Sequence, residues 1–287
     1  MNPLRETFLV FAHELRRSLR SAKTLVLLIL YALATGIFGL VMVAATRKIQ
    51  EQIAANLQGQ EVPPEALMQM KMGGLSMIFG KDDEQLRYLA SMPLIVILFA
   101  WFALFFLPLL ATLIGFDQIS GELQTRSIRF VSLRARRGSL LAGKVLAQLA
   151  LLVGLTAVIN LGVFAYAAIS VEGFPIGAGL LALVRFWALT LVYATTYVGL
   201  ATWCSSLFRV PIFSLLTALA ALLLSGALHL LSMFERLGFL KYALPSHYQE
   251  GFFKPDPLSV LASIGVFAAF SAILLGLSYL TLRARDL

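Results

Sequence analysis

The segment Gly138 to Val145 reads GSLLAGKV and fits the spacing GxxxxGK, in which backbone N–H groups cradle phosphates and the lysine reaches the outer ones. That chemistry also needs a strand before the loop and a Ser or Thr after the lysine to hold Mg²⁺. Here an arginine-rich stretch precedes the match, Val145 follows the lysine and a long apolar run begins at once, so no nucleotide binding is expected in this chain. Met68, Met70, Met72 and Met77 offer soft thioethers suited to Cu(I). Their period-2 spacing does not place three of them on one helix face, and no Cys or nearby His completes a set. Packing by flexible apolar side chains is the better reading.

A third set lies in Asp117 to Lys144, DQISGELQTRSIRFVSLRARRGSLLAGK, where Glu122 stands among Arg126, Arg129, Arg134, Arg136, Arg137 and Lys144. Guanidinium and carboxylate groups make strong charge-assisted bonds. The spacing predicts a short helix over Ser120 to Val131, with Glu122 one turn from Arg126 and two from Arg129. Glu122 then either aligns a pair along that helix or presents its carboxylate to a partner. Topology signalling alone accounts for the arginines but not for Glu122.

The elements that must position these groups follow from composition. Of 287 residues 59% are apolar and 13% charged, against about 45–50% and about 25% in soluble domains. A water-soluble globule is excluded. Hydrocarbon about 30 Å thick takes about 20 apolar residues as helix, and six runs qualify: 24–45, 92–116, 145–170, 180–204, 211–234 and 258–282. The expected fold is an all-α polytopic membrane protein with six transmembrane helices. No remaining stretch has the size of an independent catalytic domain. The runs contain no Asp or Glu and no HExxH, and one cysteine, Cys204, excludes an intrachain disulfide or a thiolate cage within one copy. Cys204 reads as a packed thiol, and the chain is not expected to be an enzyme.

Ionisable groups within the runs are Arg185 and His229. Arg185 lies about 8 Å inside its helix at 1.5 Å per residue, shallow enough to snorkel to the headgroups; the alternative is a cavity-facing role. His229 sits deeper and is expected to bond a neighbouring helix, the alternative for it, as for Arg185, being a place on a pathway. Thr190, Tyr193 and Tyr197 fall at i, i+3, i+7 on the fourth run and Asn160 lies midway along the third. Such residues either line a pathway or join helices.

Segments 1–23, 117–144, 205–210 and 283–287 hold 14 Lys/Arg, against 8 in 46–91, 171–179 and 235–257. Lys and Arg resist translocation, which predicts both termini in the cytoplasm. The net charge of +8 therefore needs no nucleic-acid partner. In the leader, 1–23, Leu4, Phe8, Phe11, Leu15 and Leu19 recur at helical spacing while Arg5, His13, Arg16, Arg17 and Arg20 take the other faces. This predicts an amphipathic helix on the inner leaflet, in contact with membrane lipids. The first apolar run exceeds the roughly 7–15 residues of a cleaved signal and is expected to remain as an anchor.

The outer loop 46–91 is helix-compatible up to Pro63 and Pro64, after which EALMQMKM predicts a short helix ended by Gly73 and Gly74. In the outer loop 235–257, Tyr242, Tyr248, Phe252 and Phe253 with Lys241 and Lys254 suit a headgroup-level belt, and His247 reads as a hydrogen-bonded surface histidine.

Taken with these features, the inner loop 117–144 resembles that of the type-2 ABC permease family, the membrane subunits of ATP-binding-cassette exporters. Members follow the second span with a glutamate, a Gly-Thr-Leu-like helix, a Pro-x-x-Arg turn and a Gly-Lys before the third span. Glu122 matches the glutamate, Arg137 the turn arginine, and Gly143 with Lys144 the closing pair. Gln124-Thr125-Arg126 stands in place of Gly-Thr and Arg134 in place of the proline. The six-run layout, the amphipathic leader, LPSHY before the last run and the terminal LRARDL extend the resemblance over the chain.

The resemblance implies a bacterial inner-membrane permease, multi-pass, working as a homo- or heterodimer with two cytoplasmic ATPase subunits. Those partners would bind ATP and Mg²⁺, with no cofactor in this chain. The loop carrying Glu122, Arg126, Arg129, Arg134, Arg136, Arg137 and Lys144 would be the ATPase-coupling element of an exporter. The alternative is an ABC-like core that drives assembly or mechanical signalling without moving a solute.

Overall fold

The computed structural model describes residues 2–56, 64–80, 82–128, 135–171, 173–232 and 234–285, and every regular element among them is helical. In chain order these are α1 (Pro3–Arg20), α2 (Ala22–Asn56), α3 (Pro64–Phe79), α4 (Asp83–Ala90), α5 (Leu94–Gly115), α6 (Ser120–Gln124), α7 (Arg137–Ser170), α8 (Ile176–Leu207), α9 (Pro211–Leu231), α10 (Pro245–Tyr248) and α11 (Pro257–Ala284). 3₁₀ turns over Glu235–Ala243 and Gln249–Phe253 flank α10.

Six helices, α2, α5, α7, α8, α9 and α11, are long and apolar enough to cross a membrane. They overlay the six apolar runs, and the chain is an all-α, multi-pass membrane protein. Two helices run well past their runs. α2 continues to Asn56 and α7 starts at Arg137, so the third run grows without a break from the charged segment before it.

α5 lies at the centre, with 61% of its most apolar window buried, whereas α9 and α11 are 11% and 17% buried and lie at the periphery. Aromatic rings fill the contact of α5 with α2: Phe38 stacks on Phe102 at 4.8 Å, and Phe102 meets Phe106 at 4.5 Å. Gly39 lets the α2 backbone approach, since a Cβ there would sit 2.6 Å from the Phe99 ring and 2.7 Å from Val163. Small residues at such crossings are how helices pack where lipid gives no hydrophobic drive.

Pro108 sits inside α5. It has no N–H, so the carbonyl of Leu104, four residues earlier, loses its helical donor. The buried hydroxyl of Tyr193 on α8 donates to that carbonyl at 2.9 Å. An unsatisfied carbonyl in hydrocarbon is costly, and the contact ties the central α5 to α8 at the proline.

Two loop expectations are corrected. α3 does not end at Gly73 and Gly74 but runs through both to Phe79, with Gly80 following at φ 86°. The reason is its apolar stripe: Met68, Met72 and Phe79 pack on the core and Leu75 is fully buried. At i, i+4, i+7, i+11 these residues keep one face of the helix in register. Met70 and Met77 face outward, so the four thioethers do not converge. In the loop 235–257, Tyr242 is exposed as a belt residue would be, but Phe252 and Phe253 are buried. Phe252 packs on Phe267 at 5.2 Å, and Phe253 on Phe79 at 4.7 Å and Phe186 at 5.4 Å. The loop folds back into the bundle because Gly251 passes directly against Ser259 and Ser263 of α11.

Candidate functional site

α1 packs along the first turns of α7, and Gly143 sets the approach. A Cβ there would lie 2.7 Å from Val10 and 2.9 Å from the Thr7 carbonyl. One residue on, Lys144 is fully buried, yet it carries an ammonium. A buried charge is tolerated only when paired and hydrogen-bonded. Lys144 Nζ donates at 2.7 Å to Glu14 Oε1 of α1 and at 2.7 Å to Glu122 Oε1 of α6. Arg17, on the solvent side, donates at 2.8 Å to the same Glu122 oxygen and lies 3.8 Å from Glu14. Two cations and two carboxylates thus cancel, joining α1, α6 and α7 at one point.

Further contacts fix the loop around this cluster. The α6 amides of Ile119 and Ser120 donate to the buried Ser205 Oγ of α8 at 3.0 and 3.1 Å. Ser205 therefore does from another helix what an N-cap side chain does locally, because Ile119 has no oxygen to offer. Gln118 Nε2 donates to the Lys144 carbonyl at 3.1 Å, and Lys23 Nζ donates to Asp117 at 2.6 Å. Glu6 of α1 accepts from the Arg136 amide at 3.2 Å and so caps α7. Arg137 donates to the carbonyls of Leu282 and Arg283 at 2.9 and 2.7 Å, closing the last turn of α11.

Within the expected helix over Ser120 to Val131, α6 ends at Gln124 and a turn follows over 125–127, Ile128 being helical again and 129–131 lying outside the described residues. Arg126 has φ 59°, a left-handed backbone that ends the helix, and its side chain is exposed. Glu122 consequently pairs neither along the helix nor outward; it is 5% exposed and turned into the cluster. Arg129 and Arg134 lie outside the described residues. The exposed guanidinium side chains the described loop presents are those of Arg126 and Arg136. GSLLAGKV lies wholly within or against α7, wound as helix rather than loop, with its lysine on two carboxylates.

The remaining sequence candidates are not brought to this cluster. Thr190, Tyr193 and Tyr197 share a buried face of α8, with the tyrosine rings 4.8 Å apart and Tyr193 5.2 Å from Phe267. They join α8 to α5 and α11. Asn160 is buried on α7 and its Oδ1 has no hydrogen-bond partner. Arg185 donates to the Lys254 carbonyl at 3.2 Å and lies over the Tyr88 ring at 5.2 Å, tying α8 to α4 and to the segment before α11. His229 Nδ1 is 3.4 Å from Ser246 Oγ. Cys204 is buried as a free thiol.

Sequence reasoning missed Glu6, Glu14, Arg17 as a pairing residue, and Ser205. A signal for the first two was present. Within a basic leader, Glu6 and Glu14 stand eight residues apart with Val10 between them, so all three fall on one helix face.

A search of curated proteins finds no match to the chain. The model of the ABC-2 family transporter proteins matches residues 8–287, which takes in α1 from its second turn, the charged cluster and all six long helices. The chain belongs to the ABC-2 transporter family and is a multi-pass membrane subunit of an ABC transporter.

Proposed function

We propose that this chain is the permease of an ATP-driven exporter of the bacterial inner membrane, with both termini and the loop 117–144 cytoplasmic. Separate ATPase subunits bind ATP and Mg²⁺ and hydrolyse it, this chain being non-catalytic, and a second permease chain, identical or different, completes the translocation path. The observation that carries the reading is the buried Lys144, held between Glu14 and Glu122. A loop floating free of the bundle would move without consequence. Here α6 is bonded through Glu122 to Lys144 of the third long helix and to Arg17 of α1, and through its first amides to Ser205 of the fourth, so a push on α6 is delivered to three helices at once.

On this reading the groups that meet the ATPase are the exposed Arg126 and Arg136, suited to carboxylates on the partner. Glu122, Arg137 and Lys144 act behind them, as internal links. The test is copurification of the chain with an ATPase, followed by hydrolysis assays in proteoliposomes. Arg126→Ala with Arg136→Ala is expected to weaken association, whereas Glu122→Gln leaves association intact and lowers transport-stimulated turnover. Failure to copurify any ATPase, or full stimulated turnover in both variants at matched insertion, defeats the proposal. Stimulated hydrolysis with no solute moved would favour the mechanical alternative.

A further inference from the structure

Beside the charged cluster, α1 and α7 border an apolar groove of about 570 Å³. Its α1 wall is Leu4, Phe8 and Phe11, and its floor includes Leu146, Ala150 and Gly154 of α7, with Leu191 of α8 closing the far side. Among the lining residues Thr7 alone carries a polar side chain. Leu146, Ala150 and Gly154 stand at i, i+4, i+8, a straight stripe along α7, about 12 Å long at 1.5 Å per residue. All three are exposed, and a Cβ built on Gly154 meets nothing within 4 Å.

The place of this groove says what covers it. Its floor begins two residues past the buried Lys144 and continues into the apolar part of a membrane-crossing helix, so its open side faces hydrocarbon. Its rim is the amphipathic α1, where Arg5 is exposed between the lining residues Leu4 and Phe8. An apolar groove whose α1 wall carries an exposed cation next to its lining residues matches an anionic phospholipid: acyl chain along the stripe, phosphate at the arginine. The volume also lies within the roughly 300–1,000 Å³ of small-molecule sites.

We propose that the α1–α7 groove is a binding site for one anionic phospholipid of the leaflet on which α1 lies. This goes beyond the transport reading and does not depend on it. A lipid held there fills the gap between α1 and α7, next to the Gly143 crossing and the Glu14–Lys144 bond, and so holds α1 in place.

The test uses the full chain purified in detergent and delipidated, titrated with phosphatidylglycerol or phosphatidylcholine of identical chains and followed by native mass spectrometry. Wild type is expected to retain one phosphatidylglycerol at least tenfold more tightly than phosphatidylcholine. Gly154→Trp fills the slot and loses that binding by tenfold or more. Gly162→Trp, two turns further along α7 at another exposed glycine with nothing within 4 Å of its Cβ, leaves binding unchanged. Arg5→Ala abolishes the headgroup preference while retaining the chain. Equal losses in the two tryptophan variants, or no headgroup preference in wild type, would show ordinary annular lipid and overturn the proposal. A change of oligomeric state in Gly154→Trp with lipid binding intact would overturn it in favour of a second protein copy.

Discussion

Lys144 Nζ and Glu122 Oε1 are 2.7 Å apart, between a side chain wholly shielded from solvent and one 6% exposed. The pair closes the loop between the second and third long helices, and Glu14 at the same distance on the other side makes it a bridge rather than a clasp. Removing one member of a buried ion pair leaves an uncompensated charge, at a cost of about 3–5 kcal/mol.

Lys144→Ala should therefore lower the thermal unfolding midpoint of the detergent-purified chain markedly. The triple change Glu14→Gln, Lys144→Met, Glu122→Gln should recover most of that loss, because no buried charge is left without a partner and the half-exposed Arg17 is solvated by water. An unchanged midpoint in Lys144→Ala, measured by intrinsic fluorescence, would falsify the view that this bridge holds α1 and α6 to α7.

The Tyr193–Leu104 bond makes a conditional prediction about α5. Tyr193→Phe leaves the Leu104 carbonyl unpaired, with an expected loss of about 1–3 kcal/mol. In a Pro108→Ala background the helix supplies an N–H at position 108, so the same Tyr193→Phe change should cost much less. A double-mutant cycle with no coupling between positions 108 and 193 would mean that the hydroxyl is not compensating for the proline.

At the start of α11, the backbone N–H groups of Leu258 and Ser259 and the Ser259 hydroxyl all donate to Asp256. These bonds hold its carboxyl below the ordinary carboxylate value. The sign follows from linkage: for a depressed folded-state pKa, the stabilisation is present above the unfolded-state value and fades as pH falls through the folded one. Amide protection at residues 258–260, taken relative to the intrinsic exchange rate at each pH, should accordingly fall on acidification in wild type. Asp256→Asn, which caps without titrating, should remove that pH dependence, and an identical acid response in both proteins would refute the assignment.

Topology is open to direct labelling. On a Cys204→Ser background, a cysteine at Arg126 should resist a membrane-impermeant maleimide applied to spheroplasts, and one at Met77, which is 90% exposed, should react. The opposite pattern would invert the proposed orientation.

The charged loop shows how far residue pattern reaches. Six crossings and the helical leader follow from composition, period and spacing, because a bilayer forces apolar runs of fixed length into helices, while Glu122 stands out as an acid among arginines and Gly143 with Lys144 only by the family resemblance. The direction in which Glu122 points does not follow from any of these. A helix over Ser120 to Val131 would have set it beside Arg126, but the left-handed turn at Arg126 and the Ser205 cap rotate α6 so that the carboxylate faces inward.

The same division holds elsewhere. Local sequence placed a break at Gly73 and Gly74, where each glycine weakens a helix, yet burial of Leu75 and packing of Met68, Met72 and Phe79 carry α3 through. Phe252 and Phe253 have the composition of a headgroup belt, and only the close passage of Gly251 against α11 puts them in the core. Sequence by itself determined which segments enter the membrane, since transfer free energy is summed residue by residue along the chain. Tertiary structure alone decided which charges meet, since Glu14, Glu122 and Lys144 lie up to 130 residues apart and their pairing depends on how α1 and α6 dock on α7.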